Sequence, residues 1–229
     1  VRGADRLWEW GAPVVVSGSV LTPCLVAAAR DDTSGATGVV RRVVDGLLAM
    51  GDDPARLRAA VALLRERLPW CGPMWQVARA AEGPDPLVAL RSLRQRLDLD
   101  ATASVATVVR LLTERGGAVR AAAGSALVAA VLSGLPPLPG PAVVGLAGAD
   151  AVGPAAVLNV AGTGELARTV PTIIVATSVK LVPQRVFAAL GGCGFETVQL
   201  GLFAGVVLDG ALLTPAEAGR RAAAVALPG

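Results

Sequence analysis

The sequence contains no histidine and no tyrosine, and aromatic residues make up only 3% of its 229 positions. Its 21 basic residues include a single lysine, Lys180. Each shortage excludes something. Without histidine, Ser-His-Asp and Cys-His catalysis are unavailable, as are HExxH and other histidine-built zinc sites. No metal and no cofactor is expected. Few aromatics argue against stacking platforms for single-stranded nucleic acid. The net charge is +3, but the arginines are dispersed rather than clustered, so a nucleic-acid partner is not expected. Cys24, Cys71 and Cys193 are far apart and form no CxxC pair, which fits free thiols in the reducing cytoplasm. No signal-peptide pattern is visible, since residues 1–10 carry four charges. The uncharged run 121–149 is long enough to span a bilayer by count, yet it holds four prolines. Those break a continuous helix, so it reads as two buried elements joined by a proline-rich turn, with no membrane partner.

What is present is apolar: 53% of the chain is hydrophobic, much of it Ala and Val, enough for a large core. The first half reads as helices. In "ATGVVRRVVDGLLAMG" the pairs Val39/Val40, Val43/Val44 and Leu47/Leu48 recur every four residues, with Arg41, Arg42 and Asp45 between them. That is an amphipathic helix. "DDPARLRAAVALLRERLP" repeats the pattern, with Asp53 as N-cap, Pro54 at the first helical position and Pro69 past the end. "PLVALRSLRQRL" and "TASVATVVRLLTERGG" follow, the latter closed by Gly116 and Gly117. "APVVVSGSV" suits a short strand or an extended arm.

At Gly117 the character changes. "AVRAA", "AVVGLAGA", "TIIVAT", "TVQLG" and "GVVLDG" are short apolar runs. The helical stretches "SALVAAVLSG", "TGELARTV" and "VPQRVFAALGG" lie between them. This alternation predicts an α/β part with a parallel sheet covered on both faces. The expected organisation is a mainly helical domain over 1–116 and a Rossmann-like domain over 117–229.

One aspartate stands out. Asp150 is the only charged residue between Ala121 and Gly164. It falls just past a strand, where open parallel sheets bind ligands. Gly124 and Ser125 mark the start of one helix, with Ser125 as N-cap. Gly162 and Thr163 mark another, with Thr163 as N-cap. Helix N-termini offer free N–H groups and a positive dipole end, so two of them beside one carboxylate suit a phosphorylated ligand. Ordinary capping accounts for the same residues. Lys180 could give a compact charge to a phosphate or sit at the surface at a strand end. Cys24, Cys71 and Cys193 read as buried, inert thiols. Trp70 and Trp75 read as core, Trp8 and Trp10 as interface candidates, and Arg91, Arg94 and Arg96 as a solvated helix face.

"GADAV" at 148–152, "VLNVAGTGELA" at 157–167, "PTIIVATSVKLVP" at 171–183, "FETV" at 195–198 and "VVLDGALLTP" at 206–215 follow one another in a distinctive order. Together they resemble the regulatory alpha, beta and delta subunits of eukaryotic translation initiation factor two-B. They resemble equally the enzyme relatives of those subunits, methylthioribose-1-phosphate isomerase and ribose-1,5-bisphosphate isomerase. "DDTSGATGVVRRVVDGLLA" and "RLPWCGPMWQVARAA" are weaker echoes of the family's helical domain. The resemblance implies a sugar-phosphate site in which Asp150 exchanges protons with the sugar while Asn159, Gly162 and Thr163 bind substrate and phosphate. The chain also departs from the family. The turn that holds the family's catalytic cysteine reads Ala121 to Ala123, Val160 replaces a lysine, Thr177 replaces a glutamate, and one sheet element is missing, so the α/β part is expected to be shortened. Three functions follow as expectations. The first is a homodimer that binds a phosphorylated sugar or nucleotide, at Ser125, Asp150, Asn159 and Thr163 above all, without standard isomerase chemistry. The second is an aldose–ketose isomerase acting on a ribose phosphate. The third is an interaction module with no small ligand.

Overall fold

The computed structural model describes residues 21–226 except 32, 138 and 139. The extended run expected at residues 12–20 and the Trp8/Trp10 pair lie outside the described residues.

The helical part comprises α1 (Pro23–Ala29), α2 (Gly35–Leu48), α3 (Pro54–Arg67), α4 (Met74–Glu82) and α5 (Pro86–Arg115). Their sequence signals work as read. Asp53 accepts from Ala55 N and Arg56 N at 3.0 Å each at the start of α3, satisfying two of the donors a helix leaves free. Along α2, Val39, Val40, Val43, Val44 and Leu47 are fully buried. They form one core with Leu57 and Leu64 of α3, Val77 of α4 and Leu90, Leu93 and Leu97 of α5. Arg94, on the face expected to be solvated, pairs with Asp45 of α2 and Asp98 of α5.

Helix α5 is one element where the sequence suggests two. The joining residues, Asp98 to Ala101, include no proline or glycine, so nothing breaks it. Its second half leaves the helical core. Ala101, Val108 and Leu112 instead pack on the sheet with Leu127, Val128 and Val131 of α6 (Ala126–Gly134).

The sheet contains β1 (Ala118–Ala121), β2 (Ala142–Ala147), β5 (Thr172–Ala176), β7 (Gly205–Leu208) and β8 (Ala211–Leu213). The first four run parallel in that spatial order, and β8 returns antiparallel beside β7. Side chains alternate between faces as strand geometry requires. Ile173, Val175 and Val207 point to α5 and α6, while Ile174, Ala176, Val206 and Leu208 point to the opposite core, which includes Ala218 and Ala222 of α9 (Pro215–Ala223). Both faces are covered, as expected.

One strand departs from expectation. "TVQLG" does not join the parallel sheet. It belongs to β6 (Phe195–Gln199), which pairs antiparallel with β4 (Ala156–Val160), itself antiparallel to β3 (Ala151–Val152). Two strands of this small second sheet lie in the connection between β2 and β5 and the third in the connection between β5 and β7, and its Val152, Val157 and Val198 share a core with Ala147, Ile174 and Val206 of the main sheet. Two short helices complete the chain: α7 (Thr163–Thr169) and α8 (Gln184–Phe187). No helix among the described residues is long and apolar enough to cross a membrane.

Candidate functional site

Three neighbouring parallel strands, β1, β2 and β5, deliver their C-terminal ends to one place. The chain leaving β1 turns into α6 at Gly124 and Ser125. The chain leaving β2 reaches Asp150. The chain leaving β5 forms a short 3-10 turn, Ser178–Lys180. Asn159 arrives from β4, and the first turn of α2 arrives from the helical part. Together, Gly124, Ser125, Asp150, Asn159 and Lys180 line one small pocket with Gly35, Ala36 and Thr37.

Asp150 is held on both sides. Its backbone N–H donates to Leu158 at 2.8 Å and its carbonyl accepts from Gly72 N at 3.0 Å. A side chain at Gly72 would meet the Ala151 Cβ at 2.6 Å, so only glycine lets the α3–α4 joint come this close. Oδ1 of Asp150 accepts from Ala36 N, in the first turn of α2, at 3.2 Å. The carboxylate thus caps a helix from a distant part of the chain, at the end where the dipole favours negative charge. The approach of α2 also needs Gly35, whose φ is +62° and whose absent Cβ would lie 2.5 Å from the Gly124 carbonyl oxygen. Burial raises the pKa of Asp150, against the pull of Lys180 and the Ala36 N–H.

Lys180 is not the surface lysine that a strand end suggests; it is 3% exposed. Burial lowers its pKa, partly offset by Asp150 and Cys71, while Arg41 pushes the same way as burial. Its ammonium makes no hydrogen bond or ion pair among the described residues, and meets Asp150 only through space. Its turn is fixed from behind. Ser178 N donates to Asp209 Oδ1 at 2.8 Å, and Asp209 sits at φ +51° in the turn between β7 and β8. Ser104 of α5 ties that turn down, accepting from Gly210 N and donating to Ala176 O. Burial therefore presses both charged members of the site toward neutrality.

Sequence reasoning missed one member of the pocket, Thr37, and read a neighbour, Cys71, as the buried, inert thiol it is. Thr37 is 3% exposed, lines the pocket, and its Oγ1 has no hydrogen-bond partner among the described residues. Cys71, in the α3–α4 joint, is buried, and its thiol is pushed up to about 12, first by burial and then by the charge of Asp150. Such a thiol stays protonated at neutral pH. Thr37 carries no local motif, because it reaches the site through the packing of the helical part against the sheet. Of the other cysteines expected to be buried, Cys24 and Cys193 are exposed.

Gly162 and Thr163 lie outside the pocket lining. The N-cap of α7 is Gly162, at φ +95°, not Thr163. Thr163 is fully buried. Its hydroxyl donates to Val160 O at 2.8 Å and accepts from Asn159 Nδ2 at 2.9 Å, so it orients Asn159 from behind. The free N–H of Gly164 donates to Glu196 Oε1 of β6 at 2.8 Å; an internal carboxylate holds the place where an anion would sit. Ser125 is the N-cap of α6, accepting from Val128 N at 3.3 Å. The walls are closed so tightly that the pocket leaves no room for a water-sized sphere. Among the described residues no cluster of histidine, cysteine, aspartate or glutamate has the makings of a metal site.

No protein-family model matches this chain, and no curated protein does. Solved structures do match its fold. The translation initiation factor eIF-2B of Pyrococcus horikoshii OT3 is 14% identical with a TM-score of 0.66, over 85% of this chain and 96% of that one. The eIF2B beta2-delta2 tetrameric complex from Chaetomium thermophilum is 11% identical with a TM-score of 0.60, over 87% and 92%. The eIF2B delta subunit of the same organism is 14% identical with a TM-score of 0.56, over 82% and 98%. The chain therefore has the fold of the initiation factor 2B subunits, in a shortened form. At these identities the likeness is one of fold.

Proposed function

We propose that this protein is an initiation factor 2B-like binder of a phosphorylated sugar, working without aldose–ketose isomerase chemistry. One observation carries the reading. Two buried charged residues, Lys180 and Asp150, and the buried hydroxyl of Thr37 line one pocket; among the described residues the Thr37 hydroxyl has no partner, and the Lys180 ammonium and the second oxygen of Asp150 make no hydrogen bond. Buried polar groups normally find partners, and leaving a charge unpaired is costly. A sugar phosphate supplies the complement, with an anion for Lys180 and hydroxyls for Asp150, Asn159 and Thr37. The starts of α2 and α6 add backbone donors to the phosphate side. Entry requires the start of α2 to move away from Gly124 and Ser125, because the pocket is closed.

Isomerisation needs two groups that exchange protons at neighbouring carbons. Asp150 is one. Residues Ala121 to Ala123 offer no second, and the Cys71 thiol lines a different cleft and holds its proton too firmly. The closed pocket favours a second reading, an interaction module in which these side chains satisfy only the fold. We further propose a homodimer formed through the α/β part, in keeping with the assembled state of one fold neighbour, and a cytoplasmic location, in keeping with three free cysteines.

Phosphorus NMR of ribose-1,5-bisphosphate with stoichiometric protein, followed over hours, separates the readings. Shifted or broadened resonances without product support the binder. New product resonances would make the protein an isomerase. An unchanged spectrum would leave the interaction module.

A further inference from the structure

A second cavity lies apart from the Asp150 pocket. It is a cleft of about 700 Å³ between the end of α3, the start of α4, and α8 with the turn after it. That volume is within the usual range for small-molecule sites, which favour such junctions between parts of a fold. The junction is braced. Gly191 N donates to Pro69 O at 3.1 Å, and Trp70 stacks on Phe195 with ring centroids 5.1 Å apart.

The walls are apolar, with Leu68 and Met74 buried at the base and Leu190 opposite. Three polar features stand out against them. Arg65 of α3 and Arg185 of α8 face the cleft from opposite sides. Neither makes an ion pair or a side-chain hydrogen bond among the described residues, and with Glu66 they leave the rim one positive charge in excess. The third is Trp75, whose indole Nε1 is buried with no acceptor among the described residues. Indole N–H is a donor only, so it awaits an acceptor from outside the described residues. Two guanidinium forks match a carboxylate well, and the apolar walls match a hydrocarbon body.

We infer that this cleft binds a small amphipathic acid, an apolar chain or ring ending in a carboxylate. The body packs on Leu68, Met74 and Leu190, while the carboxylate meets Arg65, Arg185 and the Trp75 N–H. The inference does not rest on the sugar-phosphate reading, because none of these residues lines the Asp150 pocket.

The test is calorimetric titration of the full chain with decanoate, and with decanol as the uncharged control. Ala189, exposed at the rim, is replaced by tryptophan to fill the cleft. Arg185→Gln and Trp75→Phe remove single polar contacts. The expected result is one decanoate per chain, at least tenfold weaker binding of decanol, at least tenfold loss in Arg185→Gln, a smaller loss in Trp75→Phe, and none bound by Ala189→Trp with an unchanged melting temperature. Absence of decanoate binding at millimolar concentration overturns the inference. So does binding that Ala189→Trp and Arg185→Gln leave unchanged, or equal binding of decanol. Sedimentation completes the test: a dimer that Arg185→Gln dissociates, without decanoate binding, would mark the cleft as a contact between copies.

Discussion

At the residue scale, the central feature is a buried carboxylate facing a buried ammonium beyond direct contact. Removing the ammonium takes away the counter-charge that offsets the burial of the Asp150 carboxylate. Lys180→Met should therefore destabilise the fold strongly at pH 8. The pH dependence has a definite sign. The pKa of Asp150 is raised in the folded state, so its contribution is fully present below the ordinary carboxylate pKa and is lost as pH rises through the raised value. Without Lys180 the pKa rises further, and urea unfolding of Lys180→Met should show stability falling more steeply than wild type from pH 4 to pH 8. The double variant Asp150→Asn/Lys180→Met should recover most of the loss at pH 8; if it does not, the two residues are not coupled. Gly72 offers an independent test. The contacts that a Cβ would make there are with backbone and a core alanine, so Gly72→Ala should cost about 1–3 kcal/mol by overpacking, seen as a lower urea midpoint. The solitude of Asp150 in its apolar run made it legible in the sequence, and so did the capping role of Ser125. Lys180 was visible as the lone lysine but not as buried, because burial depends on how α2 and the α3–α4 joint close over the strand ends. Thr37 carried no local signal for the same reason.

At the element scale, the site depends on loops that other elements hold. Asp209 fixes the turn that carries Lys180 by accepting from Ser178 N. Asp209→Ala removes that bond and places alanine at a positive φ that it tolerates poorly. A loss of about 1–3 kcal/mol is expected, measured by thermal unfolding, whereas Asp209→Asn should cost less because asparagine accepts the bond and tolerates the conformation. The helices were readable from their caps and periodicity, down to Asp53 and Pro54 at the start of α3. The small antiparallel sheet was not. A two-residue strand such as β3 shows no periodicity, and "TVQLG" has the same short apolar profile whether its partner runs parallel or antiparallel. The start of α7 was misread because a threonine following a glycine is a plausible cap by composition. In the fold Gly162 takes the cap and Glu196 of β6 supplies the carboxylate, accepting from Gly164 N.

At the scale of the whole molecule, α5 joins two cores. Its first half packs with the helical part and its second half with the sheet. The two parts should therefore unfold together, and calorimetry is expected to show one transition with matching calorimetric and van't Hoff enthalpies; two separate transitions would contradict this. The boundary suggested by composition near residue 116 coincides with the end of a helix rather than with a gap between cores. The pocket lies across the same seam, with α2 on one side and the ends of β1, β2 and β5 on the other, so a ligand there would bridge the two parts. The most direct test of the account is calorimetric titration of ribose-1,5-bisphosphate into wild-type protein and Thr37→Val. The valine removes only a buried hydroxyl that has no partner among the described residues, so the fold should be as stable or more so. One ligand per chain is expected for wild type, with at least tenfold weaker binding for Thr37→Val. No binding to wild-type protein, or equal affinity in both, would contradict it.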